Sequence, residues 1–109
     1  MAERTLIVAR LEPGHRNEVA ELFATSDETE LPLMLGVTRR TLFTFHDLYF
    51  HLVETDEELK PQLTEVRRHP LFRQIDEGLS SHVKPYHPSW REPKDAIAAA
   101  FYQWTRNDG

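Results

Sequence analysis

Between Gly36 and Leu52 two runs of β-branched and aromatic residues flank the polar pair His46-Asp47. Runs of that kind fold back on each other as a β-hairpin. A two- or four-residue turn pairs Phe45 with Leu48, Thr44 with Tyr49, Leu42 with His51 and Arg40 with Val53. Side chains alternate between the faces of a sheet, so Arg40, Leu42, Thr44, Tyr49, His51 and Val53 share one face. Arg40 and His51 are then diagonal cross-strand neighbours, about 7–8 Å apart at the backbone. A permanent cation and a group that titrates near neutral pH stand together on a surface otherwise made of Leu, Tyr and Val. Charged residues are mostly exposed, so the same alternation also fits a face turned to solvent.

Upstream, Thr5-Leu6-Ile7-Val8-Ala9-Arg10-Leu11 is an apolar run of strand length, interrupted by Glu12-Pro13-Gly14. Val19, Leu22, Phe23 and Ser26 recur at helical spacing and predict a helix from about residue 15 to about residue 25. Residues 26–32 release the chain toward the hairpin. Beyond it, Thr55-Asp56-Glu57-Glu58 has the pattern of a capping box. Leu59, Leu63 and Val66 continue a helix, in which Pro61 forces a kink or a later regular start. His69-Pro70 breaks the chain, and Phe72, Ile75, Leu79 and Val83 predict another short helix. Residues 84–93, with three prolines around Tyr86 and Trp90, read as an ordered loop pinned by aromatic contacts. At the end, residues 96–100 favour helix and residues 101–105 favour strand.

The resulting order is β-α-β-β-α(α)-β, the split βαβ pattern of a ferredoxin-like α+β fold. It implies a four-stranded antiparallel sheet with helices on one face. The open face is usually covered by a second copy, as in a dimeric α+β barrel, so a homodimer is expected. The 109 residues suffice for one domain spanning 1–109.

Several function classes drop out. A net charge of −5 leaves no concentrated basic surface for nucleic acid. No apolar run reaches 18 residues, so no membrane span is expected. The start shows no signal- or transit-peptide layout, and the expected location is cytoplasmic. The absence of cysteine removes disulfides, thiolate catalysis and thiolate-bound metals. The six histidines lack metal-ligand spacing: His46 and His51 fall on opposite faces, and no His-x-x-x-His occurs. No catalytic metal is expected from that spacing, and the chain has neither a Gly-rich phosphate loop nor a nucleophile elbow.

Four kinds of residue remain for chemistry. Asp27 stands at the C-terminal end of the first helix, against the helix dipole, which favours its uncharged form and suits a proton acceptor. Equally, Asp27, Glu28 and Glu30 form a solvated acidic loop. Ser26 lies on the apolar stripe of that helix, facing inward or ending the helix by bonding its own backbone. His15 is expected to be exposed and His69 to be a structural loop residue. Tyr49, Phe50, Tyr86, Trp90, Tyr102 and Trp104 are each core candidates that together suit an apolar pocket wall.

The residues quoted so far, with a few more, resemble a known family. Thr29-Glu30-Leu31-Pro32, Gly36-Val37 with Arg39-Arg40, Leu42-Phe43-x-Phe45-His46-Asp47-Leu48-Tyr49-x-His51-Leu52, His69-Pro70-Leu71-Phe72 and Phe101-Tyr102-x-Trp104-Thr105 are similar, in that order, to the small tetracenomycin-type polyketide cyclases. The resemblance covers essentially the whole chain. It implies a ferredoxin-like domain that dimerises through its sheet. It further implies a cofactor-independent enzyme closing a late ring of an aromatic polyketide by intramolecular aldol condensation and dehydration, in antibiotic or pigment biosynthesis. On this resemblance Asp27, Arg40 and His51 are the acid–base and charge-stabilising groups. A planar multi-ring substrate would lie against the aromatics, so Tyr49, Trp90 and Trp104, with Ser26 in its inward-facing placement, are the expected substrate-binding residues. Other polyketide synthase tailoring enzymes are the further partners implied. The tetracenomycin member has a histidine at position 26, and Ser26 here implies a different substrate, ring or regiochemistry.

The chemistry suits those residues. A poly-β-ketone has acidic methylenes and electrophilic carbonyls, so the main task is positioning. Proton abstraction calls for a base near neutrality, and an unperturbed His51 starts at about 6.5. The developing oxyanion calls for a fixed donor such as Arg40. Two other classes share these features: a cofactor-free monooxygenase of the same fold, and a non-catalytic module that steers a synthase product.

Overall fold

The computed structural model describes residues 3–91 and 93–106. Its elements are β1 (Glu3–Leu11), α1 (Arg16–Ser26), α2 (Leu31–Leu35), β2 (Val37–Phe45), β3 (Leu48–Thr55), α3 (Leu59–Val66), α4 (Pro70–Leu79) and β4 (Val83–Lys84), with a 3-10 turn at Pro93–Ala96. The sheet is ordered β2-β3-β1-β4 with every neighbour antiparallel, the ferredoxin-like arrangement.

The hairpin carries the register expected from its alternation: Phe45 faces Leu48, Thr44 faces Tyr49, Leu42 faces His51 and Arg40 faces Val53. Its turn has two residues. His46 adopts a φ of 57°, a left-handed conformation that histidine enters more readily than β-branched residues do. Asp47 is held from outside the hairpin, its carbonyl accepting from the Leu11 amide at 2.8 Å and its carboxylate pairing with Arg10 at 2.7 Å. The single irregularity of this ladder lies at its far end, between Val37 and Arg39. Every pair from Arg39 to Phe45 therefore keeps its parity.

β1 lies against β3 with Thr5 opposite Val53, Ile7 opposite His51 and Ala9 opposite Tyr49. These side chains point to the helix-bearing face. There Ala9, Tyr49 and Val53 join Val19 and Phe23 of α1, Leu31 and Leu35 of α2, Leu59 and Val66 of α3 and Ile75 of α4 in the buried core. The opposite parity places Leu6, Val8, Phe43, Phe50 and Leu52 on the helix-free face, where Phe43 is exposed.

Several elements differ from the sequence expectation. The fourth strand is Val83–Lys84, pairing with Arg10 and Leu11, and not residues 101–105. Val83 accordingly leaves the helix expected to contain it, because α4 ends at Leu79. Residues 101–106 form no regular element, and Phe101, Tyr102 and Trp104 are exposed. The helix favoured by residues 96–100 is absent. Ile97 instead bridges Ile7, and the Ala98 amide donates to the Leu6 carbonyl at 2.7 Å, so backbone pairing overrides local propensity.

The short helix α2 was not anticipated. Thr29 Oγ1 accepts from the Leu31 amide at its start, and Pro32 sits in its first turn. The capping box at Thr55 does not form, since the helix begins at Leu59 and the Thr55 hydroxyl donates to the Glu57 carbonyl. Pro61 then falls in the first turn of α3, where its missing N–H costs nothing. His15, expected in solvent, is half-buried with its Nδ1 2.9 Å from Nδ1 of His82. His69 caps α4, its Nδ1 accepting from the Leu71 amide at 3.1 Å.

Gly36 ends α2 with a φ of 71°, and its carbonyl accepts from the Asp56 amide at 2.9 Å. An added Cβ would find its nearest neighbour, the Asp56 nitrogen, at 4.0 Å, so space is not limiting. The left-handed backbone is. Gly36→Ala is expected to cost about 1–2 kcal/mol, read as a lower urea midpoint with an unchanged m-value.

Candidate active site

α1 ends where its last turn delivers Asp27, whose amide donates to the Phe23 carbonyl at 2.7 Å. A carboxylate there opposes the helix dipole. The opposition is relieved by Arg40 of β2, which grips Asp27 with two bonds: Nη2 to Oδ1 at 2.7 Å and Nε to Oδ2 at 3.1 Å. The fork fixes the guanidinium plane, and only 12% of the Arg40 side chain remains exposed. Its central carbon lies 4.8 Å from the centre of the Phe23 ring, over the negative face.

The remaining terminal nitrogen, Nη1, donates to Nε2 of His51 on β3 at 3.0 Å. A guanidinium has donors only, so Nε2 accepts and the imidazole carries its hydrogen on Nδ1. The ring is held edge-on between Phe23, 5.1 Å away, and Tyr49, 6.3 Å away. His51 is 7% exposed, and burial, followed by the Arg40 charge, pushes its pKa from 6.5 down to about 3. The expectation of a group titrating near neutral pH therefore does not hold: His51 is a neutral imidazole throughout the physiological range.

Between the sheet and the helices lies a cavity of about 600 Å³. Its sheet wall is formed by Ile7, Ala9, Arg40, Tyr49, His51 and Val53. Its helix wall includes Phe23 and Ser26 of α1, Leu31 and Leu35 of α2, and Phe72, Ile75, Asp76 and Leu79 of α4. Among the described residues no buried side-chain nitrogen or oxygen lacks a partner. Nδ1 of His51 and the Tyr49 hydroxyl have no protein partner, so both open onto this space. Burial holds the Tyr49 phenol well above its usual pKa, and it stays protonated.

The sheet thus brings Arg40 and His51 to one wall. Asp27 stands behind Arg40, with both oxygens engaged and outside the lining. Of the four residues expected at a substrate, Ser26, Tyr49 and Trp90 line the cavity. Trp104 lies outside the lining and is 71% exposed. Tyr86 stacks near Trp90 with ring centres 6.2 Å apart, beneath the Arg10 guanidinium. Sequence reading overlooked the contributions of Phe23, Phe72 and Asp76. The signal for the last was present: Phe72, Ile75, Asp76 and Leu79 fall at i, i+3, i+4 and i+7, one helical face with a carboxylate set into it. Among the described residues no group of three His, Asp or Glu is placed to hold a metal ion.

Comparison with known proteins bears on what this cavity does. The family model for polyketide synthesis cyclases matches residues 3–105. Tetracenomycin F2 cyclase of Streptomyces glaucescens is 47% identical over 108 residues, covering 99% of both chains. The solved structure of that type-II polyketide cyclase superposes with a TM-score of 0.89, covering 95% of this chain and 98% of the other. Polyketide synthase CurG of Streptomyces cyaneus is 42% identical over 103 residues, covering 94% of this chain and 96% of its own. A solved antibiotic biosynthesis monooxygenase, 13% identical, matches with a TM-score of 0.53 over 76% of this chain and 86% of its own, a likeness of fold alone.

The buried neutral His51 has a thermodynamic signature. The unfolded chain binds the imidazole proton below about pH 6.5, whereas the folded one resists it until about pH 3. Between those values the unfolded state holds more protons, so stability falls as pH falls. Urea unfolding of the wild type and His51→Gln from pH 7 to pH 4 is expected to show the difference. The wild type should lose up to about 1.4 kcal/mol more per pH unit than the variant.

Proposed function

The chain belongs to the polyketide synthesis cyclase family and is a polyketide cyclase; from that premise we propose that it closes a late ring of an aromatic poly-β-ketone by intramolecular aldol condensation followed by loss of water. The observation that carries this reading is the wall of hydrogen-bond donors, Arg40, His51 Nδ1–H and the Tyr49 hydroxyl, in a cavity otherwise lined by apolar side chains.

Both steps gather negative charge on oxygen. Removing a methylene proton leaves an enolate, and attack of its carbon on a ketone carbonyl leaves an alkoxide. Donors already fixed in position stabilise such charge without reorganising as it forms. Asp27 is a positioning residue in this scheme, since it aims the guanidinium and does not line the cavity. His51, whose acceptor nitrogen is occupied, serves as a neutral N–H donor and not as the base. Ser26, Tyr49 and Trp90 contact the planar substrate along its length, while the apolar remainder excludes water from competing reactions. The mechanism draws on no cofactor.

The same reading includes a homodimer formed through the helix-free sheet face, where Leu6, Val8, Phe43, Phe50 and Leu52 would lose contact with water. It treats residues 1–109 as one cyclase domain. It places the protein in the cytoplasm beside other polyketide tailoring enzymes. Among the described residues no helix is long and apolar enough to cross a membrane.

Product profiling with aromatic polyketide intermediates tests the activity directly; ring-closed, dehydrated product without oxygen uptake is expected. Arg40→Lys should lower kcat by about 10²–10³-fold, because an ammonium cannot reproduce the donor fork. His51→Ala should lower kcat without removing any rise of activity between pH 6 and 7, which separates a donor from a base. Sedimentation at micromolar concentration is expected to show a dimer, and Phe43→Glu to shift it toward monomer. A wild type that sediments at the monomer mass would rule the dimer out.

A further inference from the structure

Resting on the cyclase reading, the donor wall leaves one role vacant. Arg40 cannot lose a proton, the Nε2 lone pair of His51 already accepts from Arg40, and Tyr49 remains a neutral phenol. Asp27 has both oxygens on Arg40 and does not line the cavity. No group on the sheet wall is therefore free to take a proton from carbon. Among the described lining residues a single carboxylate remains, Asp76.

Its placement follows from α4. Pro70 starts the helix and His69 caps it, which sets the rotation so that Phe72, Ile75, Asp76 and Leu79 all reach the cavity. The first, second and last of these are apolar, as a helix packed on a core requires. Asp76 is the exposed member of this stripe, so its carboxylate keeps contact with water while it lines the cavity. The Asp76 carboxylate accepts no hydrogen bond and forms no salt bridge within 4 Å among the described residues, and the charges that act on it are those of Glu77 and Arg67. It lies toward the solvent-exposed end of the lining, with Ser80, Lys84 and Arg91. The two cations there are otherwise engaged, Lys84 Nζ with the Ser80 carbonyl at 2.8 Å and Arg91 Nη1 with the Pro88 carbonyl at 2.9 Å.

We propose that Asp76 is the general base of the cyclisation, a catalytic residue acting from the helix wall while Arg40 and His51 hold the oxygens from the sheet wall. Its carboxylate takes a proton from a methylene between two carbonyls, and the C–H electrons pass into the enolate held by the donors. The enolate carbon bonds to a ketone carbon, whose π electrons move to oxygen, and that alkoxide is protonated by the Asp76 carboxylic acid. The regenerated carboxylate removes the second proton from the nucleophilic carbon. The carbinol hydroxide departs with a proton from solvent at the mouth, forming the C=C bond and one water, and the Asp76 carboxylic acid returns its proton to solvent, which restores the carboxylate. No oxidant, reductant or metal enters the balance. Partial desolvation, followed by the charge of neighbouring Glu77 and opposed by Arg67, raises the carboxyl above its ordinary range and makes its anion a better base.

Two probes test this on the full chain. Tetracenomycin F2 reports ring closure, and benzoylacetone, an aromatic 1,3-diketone that cannot cyclise, reports proton abstraction as deuterium uptake at its methylene in D2O. Asp76→Asn keeps shape and removes the base. It should lower kcat for closure and the enzyme-catalysed exchange rate by about 10²–10⁴-fold with KM little changed, while Asp76→Glu retains part of both. Arg40→Lys should slow both without abolishing exchange. Asp76→Asn within twofold of wild type in exchange would overturn the assignment, whatever happens to closure. A wild type that exchanges benzoylacetone through Asp76 but closes no ring sinks the cyclisation of this probe and leaves the base assigned. A wild type that accelerates neither reaction overturns both.

Discussion

A guanidinium cannot shed its charge, so drawing one toward the inner side of a sheet costs several kcal/mol unless its donors are matched. Arg40 meets that condition with three of its donor nitrogens: Nε and Nη2 on Asp27, and Nη1 on His51. Much else follows. The fork ties the end of α1 to β2, and supplies the cation that the negative end of a helix favours beside a carboxylate that it does not. Burial, and after it the charge of this cation, keeps the neighbouring imidazole neutral. That neutrality in turn leaves Nδ1–H as a donor toward the cavity. One ion pair ties the helix to the sheet and reinforces the protonation state that burial sets.

How much of this was legible in the chain depends on how locally each feature is encoded. The hairpin register needed only alternation and a two-residue turn, and it holds from Arg40 to Val53. Helix α1 was legible within a residue or two, because its apolar stripe is continuous. The fourth strand was not: two residues at Val83–Lys84 carry no period, whereas Phe101-Tyr102-x-Trp104 has strong strand propensity and yet pairs with none of the described strands. The acidic loop that suggested solvation contains one residue, Asp27, whose partner lies thirteen positions away on another element. Most hidden was the electrostatics, because no property of His51 alone shows that it will be buried against a cation.

The fold itself says little about the reaction. A monooxygenase at 13% identity shares it with a TM-score of 0.53, so the same sheet and helices support oxygen chemistry elsewhere. What distinguishes this cavity is the division of labour between its walls. Tyr49, His51 and Arg40 come from a hairpin whose geometry a register fixes, and they provide donors. The rest of the lining comes largely from the helices and from the loop carrying Trp90. Precision sits where the backbone is most constrained.

A second cavity of about 410 Å³ lies behind α1 and α4, bordered by Leu22, Leu71, Gln74 and His82 among others. Ser26 and Ile75 belong to the lining of both spaces. The residues common to the two linings are thus one small polar side chain and one branched apolar one, each on a helix and neither on the sheet. A smaller side chain at Ile75 would add space next to both cavities, and a larger one at Ser26 would take space from both. Either change leaves the Arg40–His51 register untouched. The size of the cavity and the placement of its hydrogen-bond donors therefore rest on different elements, the one on helices and the other on the hairpin, and can change independently of each other.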